Sequence, residues 1–179
     1  GHMTGCGITL RCNACGKEYE LTEEGNMRAK TGETEISHIP DWYAWEREQV
    51  RKAIADGTYR LDVPVKIGMM TDYRAIYMVG EGRLVHTSDG FTLTGCGGAL
   101  EYSQKPLASY SLYADYYWYE LGDMICIGTR DILYYCFPQS GGDVVAKTRL
   151  AAEELFRMAK HRTRTGSTGD ARGAAPNPA

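Results

Sequence analysis

Gly82-Arg83-Leu84-Val85-His86-Thr87-Ser88-Asp89-Gly90-Phe91-Thr92-Leu93-Thr94 alternates apolar and polar residues on both sides of Ser-Asp-Gly. A period of two puts successive side chains on opposite faces of a strand. Asp-Gly between two such runs signals a tight hairpin, because both central positions of its turn favour positive φ. The stretch therefore predicts two antiparallel strands joined at Asp89-Gly90. The same period extends outward from it. Val63, Val65 and Ile67 share one side of residues 63–67, where Pro64 suits an edge strand or a strand start. Residues 75–79, 99–103, 109–119, 124–129 and 132–137 read as further strands, seven or so in the series, with turns at Leu121-Gly122-Asp123 and Thr129-Arg130-Asp131. The chain has 13 tyrosines against 3 phenylalanines, concentrated between Tyr102 and Tyr135, which suits half-buried pleated surfaces. A mainly β fold is expected.

Two helices bracket the strands. Pro40 suits a first helical turn and Gly57 a left-handed terminator, so residues 40–57 predict a helix. Tyr43, Glu46, Val50 and Ile54 lie along one of its faces and Trp42, Trp45, Gln49 and Ala53 along the next, while Arg47, Arg51 and Lys52 point elsewhere. Trp42 and Trp45 are its docking residues, either onto a partner or onto the core of its own domain. The second helix is predicted from the N-cap Asp143 to about His161. On it Val144, Thr148, Ala151, Leu155 and Met158 form an apolar face beside Val145, Ala152 and Ala159. Lys147, Arg149, Glu153, Arg157 and Lys160 face out. Beyond Arg164 the chain is Gly, Ser, Thr, Ala and Pro without apolar periodicity, the composition of a disordered tail.

Ahead of the first helix, Cys12-Asn-Ala-Cys15-Gly16 has the spacing and trailing glycine of a zinc-binding turn. Two thiolates two residues apart reach one tetrahedral metal only where the backbone turns sharply, and a glycine just after lets amides point at the sulfurs. Zinc wants four ligands, and residues 24–32 contain neither Cys nor His. Cys6 and His38 are the nearby candidates, and a metal-free ribbon is the other reading. A thioredoxin-like role lacks the βαβ context. Residues 17–34 predict a short hairpin, Glu18 to Leu21 and Met27 to Lys30, which leans on the tryptophans of the helix.

The organisation expected is thus a tag remnant at 1–4, a ribbon-like hairpin module at 5–36, a linking helix at 37–58, a β-barrel with its C-terminal helix at 59–161 and a tail at 162–179. With 179 residues and 43% hydrophobic content the chain can bury one sizeable core and a small satellite. A net charge of −3 gives no global attraction to nucleic acid or anionic lipid, so no nucleic-acid partner is expected. No apolar run approaches the length of a membrane span. Six scattered cysteines make no secreted disulfide framework, which points to a reducing, cytoplasmic setting, with membrane contact peripheral if any.

Antiparallel strands in hairpin succession closed by one amphipathic helix resemble a pleckstrin-homology-like barrel over residues 59–161. Gly80-Glu-Gly-Arg-Leu-Val-His-Thr-Ser-Asp-Gly-Phe91 resembles the hairpin of its GRAM branch. A more local resemblance runs through Cys12-x-x-Cys-Gly-x-x-Tyr-Glu-Leu21, Ser37-His-Ile-Pro-Asp-Trp-Tyr-x-Trp-Glu-Arg-Glu-x-Val-Arg51, Gly82-Arg-Leu-Val-His86 and Gly90-Phe91. These segments look like the region C-terminal to the catalytic domain in bacterial 1-acylglycerol-3-phosphate acyltransferases. The resemblance implies an accessory region, with the parent acyltransferase domain or another protein as partner. That family's catalytic His has an Asp five positions on, whereas His38, His86 and His161 are followed at that distance by Tyr43, Phe91 and Gly166.

The residues themselves suggest no other chemistry. Gly95-Cys96-Gly97-Gly98 opens no helix and reads as a turn rather than a phosphate loop. Asp41, Glu46 and Glu48 sit early in a helix, where its dipole favours them. Lys66, Arg74 and Arg83 are the basic residues available for a lipid headgroup. The expectation is an α+β, mainly β, non-catalytic interaction domain, with zinc at Cys12 and Cys15 as the one candidate cofactor and a metal-free ribbon as the other reading. The alternatives are a contribution to the acyltransferase active unit and a ribbon-led nucleic-acid binder.

Overall fold

The structure is a computed structural model that describes residues 3–113, 117–140 and 144–166. It is α+β and mainly β, and the chain divides into two compact units, Gly1–Ala55 and Asp56–Ala179.

The first unit is a four-stranded antiparallel meander, β1 (Met3–Cys6), β2 (Thr9–Cys12), β3 (Glu18–Leu21) and β4 (Met27–Ala29), followed by α1 (Ile39–Ala55). The predicted hairpin is β3–β4, and two further strands extend it. Met3, inside the stretch read as a tag remnant, pairs with Cys12. α1 begins one residue before Pro40, which takes the early-turn place where a missing N–H costs nothing, and Gly57 beyond its end has φ 71°. Tyr19, Met27 and Trp42 form the unit's core with Met3, Leu10, Ala29 and Ile36 against them.

The second unit is built on a six-stranded antiparallel sheet. Its strands in chain order are β5 (Leu61–Met70), β6 (Tyr77–Thr87), β7 (Gly90–Gly95), β8 (Leu100–Gln104), β9 (Tyr117–Trp118), β10 (Gly122–Asp123), β11 (Ile125–Gly128) and β12 (Leu133–Pro138). β9 and β10 pair as a separate two-stranded ribbon, and α2 (Val144–Gly166) follows β12. The six strands of the sheet lie in the order β11-β12-β5-β6-β7-β8, so β12 returns to pair with β5, the first strand of the unit. The sheet curls into a half-barrel whose two outer strands meet through a side chain. Gly128 at the end of β11 donates its N–H to Oε1 of Gln104 at the end of β8, at 3.0 Å. Tyr102 and Tyr134 pack at 5.1 Å between ring centroids beside that bond.

The inward residues of the half-barrel, Val63, Val65, Ile67, Leu84, Leu93, Ile125, Ile127 and Cys136 among them, form one core that Val145 and Ala152 of α2 complete. The other face of β11–β12 is also covered. Met124, Cys126, Tyr135 and Phe137 pack there with Trp118 and Leu121 of the β9–β10 ribbon. Burial on both faces explains why Met124-Ile-Cys-Ile127 and Leu133-Tyr-Tyr-Cys-Phe137 read as nearly continuous apolar runs.

Several expectations are corrected. The β6–β7 loop is Ser88-Asp89, with Thr87 opposite Gly90, not Asp89-Gly90. Of residues 87–90 only Gly90, the first residue of β7, has positive φ, at 109°, and a Cβ there would overlap the Gln104 carbonyl oxygen. Residues 75–79 and 82–87 do not form separate strands. β6 is continuous from Tyr77, and Val79 is the extra residue of a bulge opposite Ile67 and Gly68, where Gly80 takes φ 150°. Such an insertion bends the sheet locally.

Pro64 is not on an edge, because β5 lies between β12 and β6. Its carbonyl accepts from the N–H of Gln139, just past the end of β12, so the donor it lacks falls where pairing on that side has finished. The strand expected over residues 109–119 is absent among its described residues apart from the two of β9. A short 3-10 turn, Pro106–Ala108, leads instead into an irregular segment from which Leu112 enters the core, and Ser111 donates to Glu153 at 2.9 Å.

α2 runs past His161, and its exposed face is narrower than predicted. Leu150 to Leu155 are all buried, Glu153 and Glu154 included, whereas Met158 is exposed. Glu153 faces Arg149 Nε at 3.7 Å and Glu154 accepts from Arg157 at 2.7 Å, pairings that let carboxylates sit inside. The predicted N-cap Asp143 and the tail from 167 onward lie outside the described residues.

Candidate functional site

The cysteine turn joins β2 to β3. Cys12 ends β2, and its N–H bonds the Lys17 carbonyl while its own carbonyl accepts from Gly16, both at 2.8 Å. That closure is possible because Gly16 takes φ 74°, a region unfavourable for any side chain with a Cβ. The backbone amides of Cys15 and Ala14 are near enough to the Cys12 sulfur to favour its thiolate. These contacts, with a further one from the Cys15 thiol, hold the Cys12 pKa below its ordinary value. Cys15 is exposed and Cys12 half-buried.

The structure brings Cys12 and Cys15 together and leaves the two candidate partners elsewhere. Cys6 is opposite Thr9 and Met3 opposite Cys12, so Cys6 lies three residues along the hairpin from Cys12, about 10 Å at the rise of a strand. His38 bridges to Asn26, just before β4, while the end of β4 nearest the cysteine turn is Ala29. Both candidates are at the far end of the ribbon. Among the described residues no group of three or more His, Cys, Asp or Glu is gathered in a way that could hold a metal. The carboxylates flanking the turn are engaged. Glu35 accepts from Lys17 at 2.5 Å and from the Tyr19 hydroxyl at 2.6 Å, which brings its pKa down to about 2, and Glu18 pairs with Lys30 at 2.9 Å.

Trp42 and Trp45 take different places on α1. Trp42 is buried in the ribbon core, its ring edge-on to Tyr19 at 5.0 Å and its Nε1–H donated to the Ile36 carbonyl at 2.9 Å. Trp45 packs edge-on to Trp42 at 5.9 Å and keeps 37% of its surface exposed; Ile39 and Tyr43 of the same helix are exposed as well.

A cluster that the sequence pattern did not reveal lies in the half-barrel. His86 is 1% exposed, stacked on Phe91 at 3.7 Å and 3° and bonded through Nδ1 to the Tyr59 hydroxyl at 2.9 Å. Burial pushes its pKa down to about 3 and pushes the Tyr59 phenol well above its ordinary range. The imidazole is therefore neutral, and it shares one hydrogen with the phenol across the Nδ1–hydroxyl bond. The adjoining cavity, lined by His86, Phe91, Gln104, Leu112, Ala152 and Leu155 among others, measures about 10 Å³. That is room for one water at most. Reading the turn as Asp89-Gly90 hides this cluster, because it pairs His86 with Leu93 rather than with Phe91.

The folded pKa of His86 lies below the unfolded value near 6.5, so the unfolded chain binds the extra proton first as pH falls. Stability is full above about pH 6.5 and declines as the pH drops toward 3, by a few kcal/mol in total. His86→Gln should flatten that slope. Urea midpoints at pH 7 and pH 5 check it, and equal slopes in the two proteins would refute the assignment.

The basic residues do not converge. Arg83 bonds Asp62 at 2.5 Å, Arg60 shares the same carboxylate at 2.8 Å, and Lys66 is paired in register with Glu81. Gly95-Cys96-Gly97-Gly98 forms the turn expected, with Cys96–Gly98 in a 3-10 turn between β7 and β8. No helix among the described residues is long and apolar enough to cross a membrane. No protein-family model matches this sequence, and no curated protein is detectably similar to it.

Proposed function

We propose that the chain is a non-catalytic interaction module, the accessory region of a bacterial phospholipid-synthesis acyltransferase, which positions that enzyme or its partner. On this reading the half-barrel with α2 in its core is a pleckstrin-homology-like domain and the meander with its cysteine turn a zinc-ribbon-like one. The observation that carries the proposal is the state of His86. His86, the one histidine among the described residues that lies within the six-stranded sheet, is sealed between Tyr59 and Phe91, neutral, beside a cavity too small for a substrate. A general base must reach a substrate hydroxyl, and this one reaches only its own core. Exposed aromatic side chains, Tyr43 and Trp45 on α1, support a role in docking to protein. The engagement of Arg83 by Asp62 disfavours a headgroup pocket.

Incubation of the purified chain with an acyl donor and lysophosphatidate should give no turnover above buffer. Added in trans to the catalytic domain of an acyltransferase of this type, it should bind in calorimetry, and Trp45→Ala should weaken that binding. Turnover by the chain alone would sink the non-catalytic reading, and absence of binding would sink the assignment to an acyltransferase.

A further inference from the structure

Zinc bound by thiolates takes four ligands in structural sites. The turn from Cys12 to Gly16 offers two, preorganised by the backbone bonds that close it between Cys12, Gly16 and Lys17 and by the positive φ of Gly16. Among the described residues the remaining candidates fail on register. Cys6 and His38 sit at the opposite end of the ribbon, and Glu18 and Glu35 are held by Lys30 and Lys17. The cysteine turn lies at the tip between two strands, with Cys15 exposed, so another molecule can approach it directly.

We propose that Cys12 and Cys15 are one half of a tetrahedral zinc site completed by a second copy of this chain, four thiolates from two identical turns holding one Zn²⁺ on a twofold axis. Two plus two is the number tetrahedral zinc requires, and a twofold axis presents the same surface from both copies. Four thiols bind as thiolates and release four protons to solvent, with no change in oxidation state. The inference rests on the zinc-ribbon reading of the cysteine turn but not on the acyltransferase assignment, so zinc stoichiometry and mass test it separately from binding to an acyltransferase.

The test is titration of the reduced full chain with Zn²⁺ alone, followed by light scattering after gel filtration. The expected result is saturation at one zinc per two chains together with a doubling of mass, reversed by a chelator. Cys12→Ser and Cys15→Ser should each lose metal and dimer together. Cys15 is exposed at a turn tip, so its variant tests the site without disturbing the core. Cys6→Ser should behave as the parent. Saturation at one zinc per chain in a monomer, absence of zinc binding, or a dimer that persists in Cys15→Ser would each overturn the proposal.

Discussion

Gly82→Ala is expected to destabilise the half-barrel by about 4 kcal/mol or more, the range reserved for changes that force backbone apart. Gly82 on β6 is paired with Gly95 on β7, and Ile67 of β5 packs over both. A Cβ on Gly82 would overlap the Thr94 carbonyl oxygen, and would stand 2.7 Å from Ile67 Cδ1 and 2.9 Å from Gly95 Cα. The isoleucine end can move, but the backbone oxygen belongs to the β6–β7 ladder and cannot do so without loss of pairing. The double variant with Ile67→Val should therefore recover only a small part of the loss. Urea unfolding monitored in the second unit measures both, and a near-neutral Gly82→Ala would show that the two strands can separate at little cost.

Trp42→Ala should remove about 3–5 kcal/mol from the first unit, the usual range for truncating a buried aromatic residue. Its ring is the edge-on neighbour of Tyr19, and its Nε1–H satisfies the Ile36 carbonyl, which would lose its partner. A four-stranded meander with so few buried side chains has little else to hold it. Hydrogen exchange should show β3 and β4 losing protection while β5 to β7 keep theirs. Uniform loss along the chain would mean that the two units unfold as one cooperative core. Trp45→Ala, which truncates a partly exposed ring, should cost much less, so the two tryptophans separate a core role from a docking role.

Features that depend on neighbours in the chain are legible in the sequence itself. Alternation over residues 82–94 predicts β6 and β7, the Pro and Gly that flank α1 predict its ends to within a residue or two, and the Cys12-x-x-Cys15-Gly16 spacing predicts a turn that brings two thiols together. Each of these rests on local geometry, namely side-chain direction, fixed φ and permitted positive φ, which residue order carries directly.

The remainder comes from long-range packing. The pairing of β12 with β5 joins strands more than 60 residues apart, and no local period encodes which strand lies beside which. That pairing puts Pro64, expected on an edge or at a strand start, in an interior strand, one residue before the pairing with β12 begins, where its missing N–H does no harm. Glu153 reads as a surface residue in the sequence; Arg149 is its i,i+4 neighbour on the helix and is local, but Ser111 reaches it only through tertiary packing, which also buries Glu154 beside its i,i+3 neighbour Arg157. The tyrosines of residues 109–119 imitate a strand by composition, but residues 109–113 belong to no sheet; there Leu112 is buried between exposed Tyr110 and Tyr113. At the cysteine turn, residue spacing is enough to make Cys12 and Cys15 meet. Strand register keeps Cys6 and His38 from joining them, because ligand geometry across a sheet depends on which residues pair and not on how close they lie in the chain.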